Sequence, residues 1–405
     1  MYDDAVAVTG LGALTPLGMD ARTTWEGLLA GASGVRRIEE EWAADVPVGV
    51  AAPLPGDPAE LVGRVQARKL DRCEQVALLA AREAWQHAGA PEVDGARLAV
   101  VIGTGTGGVL TTLGQDDTYE RSGARRLSPY AVPMLMPNGP AAWVSMELGA
   151  KAGAHTPVSA CASGSEAIAL GLDLIRAGRA DVVVAGGAEA CLHPFTLSAF
   201  AQMKALSTQD AEPEAVSRPF DAGRSGFVMG EGAGIVVLER ASFARARAAR
   251  VHGWLAGAGV SSSAAHITAS DAEGQAQAMR AALDSARIAP SGIGVVQAHA
   301  TSTPSGDVVE AEAIATVLGD EVAVTAAKSM IGHLCGASGA VAAVATVLGL
   351  RDGVVPAIRN LDAPDPALTL DLVKGGPRQG DWGAALTNAF GFGGHNVSLV
   401  FARPE

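Results

Sequence analysis

The stretch "VSACASGSEAIALG" (Val158–Gly171) sets one cysteine, Cys161, among small residues where an apolar run gives way to helical spacing. A second stretch, "SMIGHLCGASGAVAAV" (Ser329–Val344), again opens an Ala/Gly-rich helix beside a reactive-looking residue. Two strand-like runs echo each other as well. "VVIGTGTGG" (Val100–Gly108) and "VVQAHATSTP" (Val295–Pro304) each end in a turn of small residues. This repetition predicts an internally duplicated chain that joins near Arg240–Gly259, with residues 1–250 as one half and 251–405 as the other. Free cysteine usually packs as a small hydrophobe, so its surroundings must decide whether Cys161 does more.

Further strand-like runs lie at Ala5–Gly12, Arg97–Gly108, Ala180–Ala190, Ala233–Arg240, Gly294–Ser302 and Asn396–Ala402. Between them fall stretches of helical spacing, such as "EQVALLAAREAWQHAG" (Glu74–Gly89) and "GQAQAMRAALDSARIA" (Gly274–Ala289). Alternating strands and helices predict an α/β protein. "GTGTGG" (Gly103–Gly108) fits the GxGxxG pattern after a strand. It lies far from a leading βαβ unit, however, and "VLTTLGQDDTYERSG" makes a poor crossover helix. It therefore reads as a glycine-rich turn.

Composition narrows the function classes. Hydrophobic residues make up 48% of the 405 and charged residues 18%, enough for a large core. The 50 glycines are about 12%, against an average near 7%, and are scattered through apolar segments. A net charge of −13 and an aromatic content of 4% argue against nucleic-acid binding. Basic residues cluster only at "ARKLDR" (Ala67–Arg72) and "GARR" (Gly123–Arg126). The cysteines Cys73, Cys161, Cys191 and Cys335 form no CxxC or metal-type spacing, which points to a reducing compartment. No basic-then-apolar leader opens the chain, and "GAVAAVATVLGL" (Gly339–Leu350) is too short to span a bilayer. A cytoplasmic protein with no membrane contact is expected.

Four more stretches carry candidate chemistry: "AHATSTPSGDVVEAE" (Ala298–Glu312), "AAKSMIGHLCGASG" (Ala326–Gly339), "SRPFDAGRSGFVMGEGAG" (Ser217–Gly234) and "TNAFGFGGHN" (Thr387–Asn396). His299 and His333 stand where a strand end or a helix start would present them, unlike the other six histidines. A cysteine with two histidines suggests thiol catalysis, and a helix N-terminus lowers a thiol's pKa.

Taken together, these motifs resemble the β-ketoacyl-acyl-carrier-protein synthases of type II fatty-acid and polyketide synthesis, in particular the elongating synthase II branch. The resemblance runs from "VAVTGLGALTPLG" (Val6–Gly18) to "FGFGGHN" (Phe390–Asn396), with an actinobacterial style of sequence. It implies a thiolase-like fold, with duplicated halves in a five-layered αβαβα core. The implied reaction is decarboxylative condensation of a cysteine-bound acyl chain with malonyl-acyl-carrier protein, in fatty-acid elongation or in a specialised polyketide pathway. Cys161 would be the nucleophile. His299 and His333 would polarise the malonyl thioester, and the N–H groups of Cys161 and Phe392 would form the oxyanion hole. Lys328 would pair with Glu310, Phe392 would gate the two half-reactions, and Thr301 and Thr303 would bind the pantetheine arm. Thr106 would reshape an acyl pocket shared with Phe200, and Met134 and Leu135, from the same chain or across a dimer, would fill the space. Arg68, Lys69, Arg125, Arg126 and Lys204 would dock the acyl carrier protein. No metal or resident cofactor is implied, since the phosphopantetheine arm arrives on the carrier. The implied assembly is a homodimer, or a heterodimer with a chain-length-factor-like subunit.

Some positions depart from the family. Gln297 stands where Asn is frequent, Ala300 where Gly is, and Thr106 where many members have Ile. A thiolase would carry a second cysteine in "AFGFGGHN", and a chain-length factor would lack Cys161. Both are disfavoured. An unrelated cysteine hydrolase would hydrolyse, not exchange, its acyl group.

Overall fold

The computed structural model describes residues 6–404. Ala5, where the expected first strand begins, lies outside them. The first half contributes β1 (Val6–Leu14), β2 (Leu98–Gly103), β3 (Ala154–His155), β4 (Val182–Glu189) and β5 (Gly232–Arg240). The second contributes β6 (Gly253–Ser262), β7 (Ile293–Gln297), β8 (Ala323–Thr325), β9 (Asp371–Leu372), β10 (Ala384–Gly391) and β11 (His395–Ala402). Among the described residues these eleven strands form one continuous sheet, ordered β9-β8-β7-β10-β11-β6-β1-β5-β4-β2-β3.

The order repeats. From its outer edge the first half runs third, second, fourth, fifth, first strand, and the second half does the same with β9 added outside. The pairing directions repeat too. β2–β4 and β7–β10 are parallel, whereas β4–β5, β5–β1, β10–β11 and β11–β6 are antiparallel. The halves join where β1 meets β6, with Val6 opposite Leu255.

Helices cover both faces of each half. The main ones are α1 (Arg72–His87), α2 (Val109–Ser122), α3 (Ser163–Arg176), α4 (Pro194–Gln202), α5 (Ala272–Ala286), α6 (Pro304–Leu318) and α7 (Ser338–Asp352). Successive strand side chains point to opposite faces, and the packing follows that alternation. Leu98, Val100 and Ile102 face the α1 layer, while Ala99 and Val101 face the centre. In the second half, Leu386 and Val400 face α5 and α6, while Ala385, Val397 and Leu399 face the centre. The central layer is α3 and α7, and every residue of α7 from Ser338 to Leu350 is buried. This gives five layers, α–β–α–β–α. Strands buried on both faces read as continuous apolar runs, which is why they stand out in the sequence.

The segment after "GTGTGG" does form a helix, α2, bounded by Gly108 and Gly123. It buries no residue, so it lacks the apolar stripe by which a crossover helix is recognised. No described helix is long and apolar enough to cross a membrane.

Candidate active site

Cys161 sits in a short 3-10 turn, Ala160–Ala162, just before α3. Ser163 Oγ accepts from Ser159 N at 2.9 Å and donates to Ala160 O at 2.7 Å. Ala160 is held at φ +51°, a conformation L-residues seldom adopt. Gly391 at the end of β10 packs directly on this turn. A Cβ there would fall 2.4 Å from Ser159 O and 3.2 Å from Cys161 N, so only glycine fits. The next residue, Phe392, brings its backbone N–H toward the Cys161 thiol, where it favours the thiolate.

The helix-start argument for a depressed thiol pKa is outweighed here. Burial pushes Cys161 up to about 12 and Cys335 adds to the rise, against Lys328 and the Phe392 N–H. The thiol therefore rests protonated, and its attack must be coupled to proton removal.

His299 follows β7 and His333 precedes α7, and both are buried. Their rings stand 5.4 Å apart and nearly perpendicular. Phe227 packs edge-on against His333 at 5.1 Å, and Phe390 against His299 at 5.8 Å. Burial first, then Lys328, holds both pKa values well below the usual histidine range, so both are neutral. Ser338 Oγ accepts from Leu334 N and lies 2.8 Å from His333 Nδ1. His333 Nδ1 is the acceptor the structure places in reach of the Ser338 hydroxyl proton, so the hydroxyl donates to Nδ1 and the His333 proton is assigned to Nε2. Lys328 Nζ lies 3.3 Å from His299 Nδ1, which assigns Nε2–H to His299 in the same way.

The expected Lys328–Glu310 pair is not a direct contact. Lys328 Nζ donates to His299 O at 2.5 Å. Glu310 accepts from His299 N at 2.7 Å, Ala300 N at 2.6 Å and Asn388 Nδ2 at 3.2 Å. Its oxygens are already occupied, so lysine and carboxylate grip the His299 loop from two sides. Burial lowers Lys328 to about 8 against the pull of Glu310. The loop is strained, with Ala300 at φ +31°, the position at which glycine would be easier.

One cavity of about 380 Å³ collects these groups. Cys161, His299, His333 and Phe392 line it, with Phe200, Thr301, Thr303 and Lys204. Thr301 and Thr303 share a 3.0 Å hydroxyl contact. Phe200, from α4, lies stacked 6.5 Å from Phe392. Within this chain Thr106, Met134 and Leu135 do not line the cavity. The Thr106 hydroxyl instead donates to Glu189 at 2.7 Å, since a hydroxyl takes up the strongest acceptor in reach. Lys69 lies over the Tyr130 ring at 5.4 Å, and Arg68, Arg125, Arg126 and Lys204 are exposed. The sequence reading missed Ser338, Asn388, Phe227 and Glu189. Only Ser338 left a signal, because "CASG" and "GASG" repeat its place before a helix.

A half-buried thiol beside two Nε2–H donors and a backbone N–H suits acyl transfer through a cysteine thioester, on a thiolase-like framework. Two family descriptions match the chain: "Beta-ketoacyl synthase, N-terminal domain" over residues 3–244 and "Beta-ketoacyl synthase, C-terminal domain" over residues 252–362. The chain belongs to the β-ketoacyl synthase family and is an acyltransferase of that condensing kind. The 3-oxoacyl-[acyl-carrier-protein] synthase 2 of Mycobacterium bovis is 41% identical over 404 residues, 98% of this chain and 97% of its own. That of Staphylococcus aureus is 40% identical over 408 residues, 99% and 98%. A β-ketoacyl synthase structure from Burkholderia phymatum has a TM-score of 0.92 at 35% identity, covering 99% of this chain and 100% of that one. The ishigamide ketosynthase/chain length factor gives 0.93 at 32%, covering 99% of each.

Proposed function

We propose that this chain makes 3-oxoacyl-acyl-carrier protein by condensing a Cys161-bound acyl group with malonyl-acyl-carrier protein. The observation that carries the reading is the single cavity holding Cys161, His299, His333 and the Phe392 N–H. In the first half-reaction the Cys161 sulfur attacks the acyl thioester carbonyl. The N–H groups of Cys161 and Phe392 take the negative charge on its oxygen, and the thiol proton passes to the departing pantetheine sulfur. The C–S bond to the pantetheine arm then breaks, and its thiol leaves with that proton.

In the second half-reaction the malonyl thioester oxygen accepts from the Nε2–H groups of His299 and His333. The bond to the carboxylate breaks, CO₂ leaves, and the electron pair forms an enolate held by those donors. Its carbon attacks the acyl carbonyl on Cys161, a C–C bond forms, the C–S bond to Cys161 breaks, and the released sulfur takes a proton from water. Lys328 and Glu310 position the His299 loop, Phe392 gates the exchange of arms, and Thr301 and Thr303 bind the pantetheine. Phe200 forms part of the acyl wall. Residues 1–250 serve as the nucleophile half and 251–405 as the histidine half.

The chemistry uses no resident cofactor, since the pantetheine arm is brought by the carrier. Arg68, Lys69, Arg125, Arg126 and Lys204 give an acidic carrier local attraction on a chain of net charge −13. The reading includes a cytoplasmic homodimer. The higher identity to the synthase 2 enzymes favours fatty-acid elongation. A specialised polyketide role has its own support, from a type II polyketide acyl-carrier protein in complex with its ketosynthase (TM-score 0.90, 29% identity, 99% of each chain). Rates with fatty-acid and polyketide carrier proteins decide between the two.

The test of the condensing reading is the adduct. Incubation with acyl-carrier substrate should leave one acyl group per chain, on Cys161, found by peptide mass spectrometry. Cys161→Ala should lower condensation by more than about 10³-fold, as removal of covalent nucleophiles does. An adduct on Cys73, Cys191 or Cys335 would overturn the assignment.

A further inference from the structure

Glu189 ends β4 and has no exposed surface. A carboxylate buried that deeply is costly unless hydrogen bonds compensate. Five donors converge on it. Oε1 accepts from Thr104 Oγ1 at 3.0 Å, Thr106 N at 3.1 Å and Thr106 Oγ1 at 2.7 Å. Oε2 accepts from Gly105 N at 2.7 Å and Gly336 N at 3.0 Å. Burial pushes its pKa up, and these donors pull it back. Four of the donors belong to the turn after β2, in the first half. The fifth, Gly336 N, belongs to the turn between His333 and α7, in the second.

Each side continues to a reactive residue. The Ser163 hydroxyl proton is shared between Ala160 O at 2.7 Å and Thr104 O at 3.2 Å, and with Ser159 N donating to its oxygen, Ser163 holds the two residues just before Cys161. Two residues past Gly336, Ser338 fixes His333 Nδ1. The two turns touch closely, since a Cβ on Gly336 would fall 2.5 Å from Gly105 N. We propose that Glu189 is a positioning residue that fixes Cys161 relative to His333, and that Thr106 serves this clamp. The inference rests on the roles given above to Cys161 and His333. A carboxylate that only stabilised the fold would affect every step alike. One that sets the spacing of two reacting groups matters most where both act at once, in carbon–carbon bond formation.

Glu189→Gln tests this. Three of the five donors are backbone N–H groups, which cannot turn to accept. Whichever way the glutamine amide points, its NH₂ faces at least one of them. Three rates are measured: acyl loading of Cys161, malonyl-carrier decarboxylation, and full condensation. Condensation should fall about 10²-fold with each half-reaction within about threefold, the size of effect a 1 Å misplacement produces. Thr106→Val removes one of five donors and should cost about 3–10-fold in condensation alone. Thr106→Ser, which keeps the hydroxyl, should recover most of that loss. Condensation within about threefold of the parent in Glu189→Gln, or all three rates falling in parallel, would overturn the proposal. Should Glu189→Gln not accumulate as folded protein, Thr106→Val carries the test, and an equal loss in all rates or none refutes it. His333→Ala, run alongside, keeps the two readings apart. Unimpaired decarboxylation in that variant would overturn the role of His333 itself.

Discussion

Ser159–Ser163 and Leu334–Ser338 are two turns of one construction. Each begins a 3-10 turn, Ala160–Ala162 or Cys335–Ala337, and runs into a central helix, α3 or α7. Each opens on a non-glycine residue in the left-handed region, Ala160 at φ +51° and Cys335 at φ +43°. In each a serine three residues on accepts the preceding backbone N–H, Ser163 from Ser159 and Ser338 from Leu334. The chemistry differs by what is mounted on the frame. After the left-handed residue the first turn carries Cys161 and the second Gly336. Before the turn the second carries His333, where the first has the exposed Val158. On the proposed reading, one backbone device thus presents a nucleophile in one half and a proton donor in the other. Glycine in place of the second reactive residue lets the two turns close on each other.

If the halves divide the labour in this way, the largest effects on the second half-reaction come from the histidines. His333→Ala and His299→Ala should each cut malonyl decarboxylation by about 10²–10³-fold, the usual worth of one oxyanion donor. Acyl loading of Cys161 should persist in both. Loss of loading with decarboxylation retained would invert the assignment of the two turns.

Much of this comparison was legible in the sequence, and for a physical reason. Strands buried on both faces, such as residues 182–188, carry apolar side chains on both, and the close approach of Gly391 to Ser159 admits no side chain. Cys161, His299 and His333 stand out because reactive groups are rare among small residues. What escaped were contacts between stretches far apart in the sequence of one half. Nothing in the spacing says that the Lys328 ammonium meets a carbonyl and not Glu310, or that the Thr106 hydroxyl turns to Glu189. Those choices depend on which partner the fold brings within 3 Å. The rise of the Cys161 pKa escaped for the same reason, because burial is a property of the assembled cavity.

The second half-reaction should also carry a titration. Lys328, lowered by burial to about 8, is charged below that pH and donates to the His299 loop. Decarboxylation should therefore fall as pH rises through about 8. Stability moves the other way. A lysine with a depressed folded pKa contributes stability that is present above its unfolded value, 10.5, and lost as pH falls through about 8. Over this window activity should drop while the Lys328 contribution to stability grows. Activity and melting temperature falling together would show unfolding, not titration at the site.

The smallest expected effect tests the comparison most directly. Ser163→Ala and Ser338→Ala make the same deletion in the two turns. Each leaves one buried backbone N–H, of Ser159 or Leu334, without its acceptor, at a cost of about 1–3 kcal/mol. The two variants should therefore lose similar stability in thermal unfolding, which serves as the internal control. Their kinetic effects should part. Ser338→Ala also frees His333 Nδ1, so the Nε2–H tautomer is no longer enforced, and decarboxylation should fall about tenfold, the worth of one hydrogen bond. Ser163→Ala loosens the backbone just before Cys161 and should slow loading by a similar factor, with decarboxylation little changed. If both variants impair the same half-reaction, the turns share a frame without dividing the work. If neither does, the serines hold the fold alone, and the tautomer of His333 must be set by its burial against Phe227.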